Sequence, residues 1–159
     1  MLYACDGKWW DNHRDALKFR GLRFTINKIA AREHGLTLVP SIGTVRDDGR
    51  GIGFCRKAPI IHTGANSGYQ AANLALHLGA AKIVLLGFDM AAPRGKSHWH
   101  GEHGNGMNNP NIYTFQDWLA NWATVPESIE GLGLEIVNAS RETALDMFPR
   151  MSLEDALCC

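Results

Sequence analysis

The sequence predicts an α/β domain with a mostly parallel sheet flanked by helices, on three observations. Short β-prone runs alternate with helical periodicities along the chain, the pattern of α/β proteins. From Ser67 to Gly79 the apolar residues Ala71, Leu74, Ala75 and Leu78 recur at helical spacing, which makes this the clearest helix. Directly after it, Lys82–Gly87 carries an uninterrupted Ile-Val-Leu-Leu, which suits a strand buried on both faces of a parallel sheet. The 159 residues fit one domain, residues 1–159, which can bury a sizeable core without disulfides.

The remaining elements follow in order. Leu2–Cys5 reads as a strand that stops at Asp6-Gly7. Trp9–Phe19 places Trp10, Ala16, Leu17 and Phe19 among polar residues, an amphipathic helix ended by Gly21, with Trp9 and Trp10 as core. Arg23–Ile26 alternates as a strand does. Ile29–His34 is a short helix stopped by Gly35, and Leu36–Val39 is β-prone up to Pro40. Residues 43–57 are glycine-rich and charged and read as a loop or hairpin. Ile60 and Ile61 approach the glycine turn that precedes the long helix. Residues 91–112 show no periodicity and form a long loop. Phe115–Trp122 starts a helix running toward Gly131, with Tyr113, Phe115, Trp118 and Trp122 as packing residues. Leu134–Val137 is a strand ending at Asn138, and Ser152 opens a last short helix.

Bulk properties exclude several partners. Lys plus Arg equals Asp plus Glu at 16 each and no basic run occurs, so nucleic acid is not an expected partner. No apolar stretch approaches the ~20 residues of a membrane helix, and the first residues lack the basic start and apolar core of a secretion signal. A cytoplasmic location is expected. Cys5, Cys55, Cys158 and Cys159 form no CxxC or zinc-finger pattern and read as reduced thiols.

Ligands of parallel α/β sheets bind beyond the carboxyl ends of the strands. Three loops leave such ends: Thr63–Gly68, Asp89–Asn111 and Asn138–Arg141. In the first, Gly64, Asn66, Ser67 and Gly68 join an extended segment to a helix. The helix N-terminus offers free N–H groups to a phosphate or carboxylate. The competing reading is that Ser67 caps the helix and Gly68 permits close packing. Asp89 either contacts a ribose or sugar hydroxyl or fixes its own loop. His98, His100 and His103, in Ser97-His98-Trp99-His100-Gly101-Glu102-His103, place three of seven histidines in six residues. They read as metal ligands, as acid–base or substrate-binding groups, or as a solvated cluster. Their spacing is similar to the H-x-H-x-D-H zinc motif of metallo-β-lactamase-like hydrolases. That fold needs further downstream ligands, and no histidine follows His103. His62 is a further nitrogen from the neighbouring loop. No metal and no other cofactor is therefore expected.

The stretch Asn66–Asn138 contains Asn-Ser-Gly-Tyr-Gln-Ala-Ala-Asn-Leu-Ala, then Leu-Gly-Ala-Ala-Lys-Ile-Val-Leu-Leu-Gly-Phe-Asp-Met, then Ser-His-Trp-His-Gly. It resembles a Rossmann-like superfamily that includes Campylobacter-type sialyltransferases and the domain of motility accessory factors and archaeal 6-hydroxymethylpterin diphosphokinases. The nearest resemblance is to small phage and prophage proteins, with Asp-Gly-Lys-Trp-Trp near the start and a late Asn-x-Ser. The resemblance implies that Ser67 and Gly68 contact a nucleotide-sugar donor. It implies that His98, in the place of the family's Ser-His-Tyr histidine, is the general base, and it implies a bacterial host cytoplasm. Two departures stand out. Met90–Ser97 has none of the tyrosines that support the leaving phosphate, although Arg94 and Lys96 carry compensating charge. The first strand and Gly-x-Gly-Pro-Ser turn of relatives are missing, so the chain reads as N-terminally truncated relative to them. An exposed sheet edge would follow, and with it a homo-oligomer as a partner state. The expectation is a transferase-like domain that binds a nucleotide-sugar or other phosphorylated small molecule. A metal-dependent hydrolase using His98, His100 and His103, and a non-catalytic phage accessory protein, are the alternatives.

Overall fold

A computed structural model describes residues 1–43, 53–92, 101, 103–104 and 107–158 of the chain. In order, the elements are β1 (Leu2–Tyr3), α1 (Gly7–Asn12), a 3-10 turn (Arg14–Lys18), β2 (Arg23–Thr25), α2 (Lys28–His34), β3 (Thr37–Leu38) and β4 (Ser41–Ile42). There follow β5 (Ile61–His62), α3 (Ser67–His77), β6 (Lys82–Leu85), α4 (Ile112–Ala123), α5 (Val125–Ile129), β7 (Glu135–Asn138) and α6 (Leu153–Leu157).

The α/β class and the parallel pairing hold. The single sheet does not appear among the described residues. The strands instead form three small ladders, β1-β2-β3, β4-β5 and β6-β7, each parallel throughout. The segment 37–42 joins the first two ladders. Val39 N donates to Thr25 O on the β2 side, and Pro40 O accepts from Ile61 N on the β5 side. Pro40 has no N–H to extend the first ladder, which fits the change of partner there.

Local chemistry sets the helix limits. Asp6 starts α1 by accepting from Lys8 N, two residues before the helix expected from the pattern. The expected Trp9–Phe19 helix divides at His13, whose backbone leaves helical geometry (φ −117°, ψ 55°). The Asp11-Asn12-His13 run is poor in helix propensity. The His13 ring stacks on Trp9 at 4.7 Å and its Nδ1–H donates to Trp9 O. Asn27 caps α2, and Gly35 ends it in the left-handed conformation (φ 63°), as a C-terminal glycine does. Ser152 caps α6.

Two expectations about burial change. Among the described residues β6 pairs with β7 alone, its residues are mostly half-buried, and Leu86 is 58% exposed, so the Lys82–Gly87 run is not buried on both faces. In α3 the buried face is Tyr69, Gln70, Ala72, Asn73 and Leu74, while Leu78 is exposed. Polar Gln70 and Asn73 sit inside because their amides are bonded. Asn73 Oδ1 accepts from both Cys55 N and His62 N, and its Nδ2 donates to Cys55 O. An apolar-only pattern cannot find such a face.

The main core gathers Phe54, Tyr69, Leu85, Trp122, Val125, Ile136, Leu145 and Phe148 among others. A second cluster holds Trp10 against Ala4, Ala30 and Leu36, and a third holds Phe24, Val39, Ile61 and Leu74. Trp10 is fully buried as expected, whereas Tyr113 is exposed rather than packed. No helix among the described residues is long and apolar enough to cross a membrane.

Candidate functional site

Residues just past the ends of four parallel-paired strands touch one another in series. After β1, Cys5 N donates to Ser67 Oγ (3.3 Å), and Ser67 Oγ donates to Cys5 Sγ (2.9 Å). After β5, the turn Thr63–Asn66 leads into α3, and Gly68 in its first turn lies under the Phe88 ring. After β6, Phe88 N donates to Ser140 Oγ (2.8 Å), a residue just past β7, and Thr143 Oγ1 donates to Phe88 O (2.6 Å). Asp89 O accepts from Ala144 N. The carboxyl ends of β1, β5, β6 and β7 thus come together, although the strands belong to three separate ladders.

The Thr63–Gly68 turn is rigidly held. Thr63 O accepts from Asn66 N and from Gln70 Nε2. Gly64 O accepts from Asn121 Nδ2, and Ala65 O accepts from Trp118 Nε1 (2.7 Å). Gly64 and Ala65 both have positive φ (49° and 53°), and the Tyr69 ring packs where a Gly64 side chain would stand. Asn66, not Ser67, caps the helix: its Oδ1 accepts from Tyr69 N at 3.0 Å. The first two helical amides, those of Ser67 and Gly68, have no bond among the described residues.

Other expected site residues have internal work. The Ser67 hydroxyl is committed to Cys5, so what this position offers a ligand is its N–H. Asn138 is fully buried; its Nδ2 donates to Thr143 Oγ1 and Leu145 O, and its Oδ1 accepts from Ser140 N. It braces the loop after β7. Asp89 is half-buried beside that loop. His103 is half-buried, and its backbone N donates to Asn109 Oδ1 (2.6 Å). His98 and His100 lie outside the described residues, as do Arg94, Lys96 and most of the 43–57 loop. His62 is buried with Nδ1 bonded to Gly53 O, so that nitrogen is taken.

Cys5, Phe88, Ser140 and Thr143 belong to this cluster; the sequence gives Cys5, Phe88 and Thr143 no site role, while Ser140 lies in the Asn138–Arg141 loop and closes the late Asn-x-Ser. Cys5 lacked any motif, and Ser140 and Thr143 act through contacts 52 and 55 residues away. Burial pushes the Cys5 thiol up and outweighs the lowering by the Ser67 hydroxyl. Burial likewise raises Tyr3, whose OH donates to Gln70 Oε1.

Gly68 illustrates the packing role. A Cβ built there would lie 2.6 Å from Phe88, whose ring is backed by Trp122 at 5.6 Å. Overpacking of this kind costs about 1–3 kcal/mol, more than the 0.5–1 kcal/mol or so that Gly-to-Ala gains in a helix. Gly68→Ala should therefore destabilise by about 1–2 kcal/mol in urea unfolding. In a Phe88→Ala background the cost should shrink, leaving only the close approach to Asn66 Oδ1 (3.0 Å) against the helix gain. A Gly68→Ala effect that is unchanged in that background would show that Phe88 is not the obstacle.

Compared with protein-family models, with curated proteins and with solved structures, the chain matches none.

Proposed function

We propose that the chain binds a phosphorylated small molecule at the head of α3. In the finer reading, which rests on the resemblance of Asn66–Asn138 to the sialyltransferase-containing Rossmann-like superfamily, the ligand is a nucleotide-sugar and the reaction is glycosyl transfer. The observation that carries the binding reading is the pair of uncommitted amides of Ser67 and Gly68. They stand at the N-terminus of an 11-residue helix, where four strand ends come together. Backbone N–H groups and the positive end of the helix dipole together favour an anion. The turn is held by α4, so little ordering cost remains on binding.

Thermal denaturation with nucleotide-sugars, nucleoside diphosphates and inorganic phosphate tests this. A ligand at 100 times its Kd adds ~2.7 kcal/mol, which raises Tm by roughly 5–10 °C in a chain of this size. Ala65→Asp locates the site. Ala65 is exposed, already has positive φ, and lies beside the helix start. Aspartate tolerates that conformation and suits a helix N-terminus, so the variant should fold at least as well while repelling an anion. A ligand shift that survives Ala65→Asp would place the anion elsewhere, and no shift with any phosphorylated compound would defeat the reading.

A further inference from the structure

We propose that Asp11, Glu33 and His34 form a binding site for one divalent transition-metal ion, of the Zn²⁺ or Mn²⁺ class. Asp11 stands in the last turn of α1, and Glu33 and His34 in the last turn of α2, two helices in contact. One ligand atom from each lies within 4.8 Å of the other two. Donor atoms about 2.0–2.2 Å from a common metal stand roughly 3–3.6 Å apart, so closure needs about an ångström of side-chain rotation.

The burial pattern permits that rotation. The His34 side chain is only 9% exposed and its ring is therefore fixed, whereas Asp11 is 53% exposed and Glu33 is also exposed, free to swing onto an ion. His34 Nε2 stands 2.8 Å from Asp11 Oδ1. That pair alone would be a simple tie between two helices. Glu33 makes it more than a tie. It brings a second carboxylate to the same point with no hydrogen bond or ion pair of its own among the described residues. Two carboxylates facing one imidazole leave an excess of negative charge that a cation relieves. The carbonyl ends of both helices point the same way in electrostatic terms, since helix C-termini favour cations.

The donor set selects the ion. One imidazole nitrogen with two carboxylates suits Zn²⁺ or Mn²⁺, while Mg²⁺ and Ca²⁺ take oxygen. Three protein ligands, two of them exposed, leave coordination positions open to water. The sequence gives no sign of this site because Asp11 and Glu33 stand 22 positions apart.

Titration of tag-free protein with ZnCl₂ and MnCl₂ provides the test, in a His98→Ala/His100→Ala/His103→Ala background that silences the loop histidines. One equivalent of Zn²⁺ or Mn²⁺ should bind in the micromolar range or tighter, uncontested by MgCl₂. His34→Ala and Glu33→Gln should each weaken it by roughly tenfold or more. Glu33→Gln loses no structural bond, so it keeps the test decisive if His34→Ala fails to fold. Absence of a bound equivalent in that background, or an affinity unchanged by Glu33→Gln, overturns the site.

Discussion

Trp122→Ala should cost about 3–5 kcal/mol of stability, a large share of the roughly 5–15 kcal/mol that holds a domain folded. Trp122 is fully buried, and its ring meets four other aromatic rings edge-on: Tyr69 at 5.2 Å, Phe88 at 5.6 Å, Phe148 at 5.8 Å and Phe54 at 5.9 Å. Those rings come from α3, from the loops after β6 and β7, and from the segment before β5. Truncation would therefore leave a cavity whose walls belong to elements held apart by their own hydrogen bonds, and such walls collapse poorly. The indole also carries an unusual burden, because its Nε1 is buried without a hydrogen-bond partner among the described residues. Leaving a donor unsatisfied costs about 1–3 kcal/mol. Trp122→Phe removes that donor while keeping most of the ring, so it should cost under about 1.5 kcal/mol, less than half of the alanine effect. Urea unfolding of both variants measures the difference. A Trp122→Ala cost below about 1 kcal/mol would show that this aromatic cluster does not hold the fold together.

The parts of this architecture legible in the sequence are those written in local chemistry. Gly35 as a helix stop, Ser152 as a helix start, and the strands at Arg23–Thr25 and Glu135–Asn138 all follow from residues within a turn or two. The parts that were not legible depend on distant partners. Nothing near Asn73 announces that its amide will collect the backbone of Cys55 and His62, which turns a polar residue into core. The Ile-Val-Leu-Leu run of β6 has the composition of a doubly covered strand, yet its edge pairs with β7 alone among the described residues. The site divides in the same way. The glycine turn before α3 was visible as a pattern, and the structure adds which of its atoms are spent and which are left. Ser67 was expected to cap or to contact ligand, and its hydroxyl instead ties β1 to α3 while Asn66 caps.

On the proposed transferase reading, His98→Ala should lower turnover by about 10² to 10⁴, the usual worth of a general base. His98 lies outside the described residues, so the expectation is built from chain position and chemistry. The chain leaves the carboxyl end of β6 through Phe88 and Asp89, which the loop after β7 clamps at Ser140, Thr143 and Ala144. It is tied again at His103, through Asn109. Between these two anchors stands Ser97-His98-Trp99, where the resembling transferases carry their base. An acceptor hydroxyl is a poor nucleophile until a base takes its proton, and an imidazole can take it. His100→Ala and His103→Ala should matter less. Turnover measured with nucleotide-sugar donors decides the matter. A His98→Ala enzyme with wild-type turnover removes the base from this position. A wild-type chain that binds nucleotide-sugars yet turns over none of them leaves the anion site standing and ends the transferase reading.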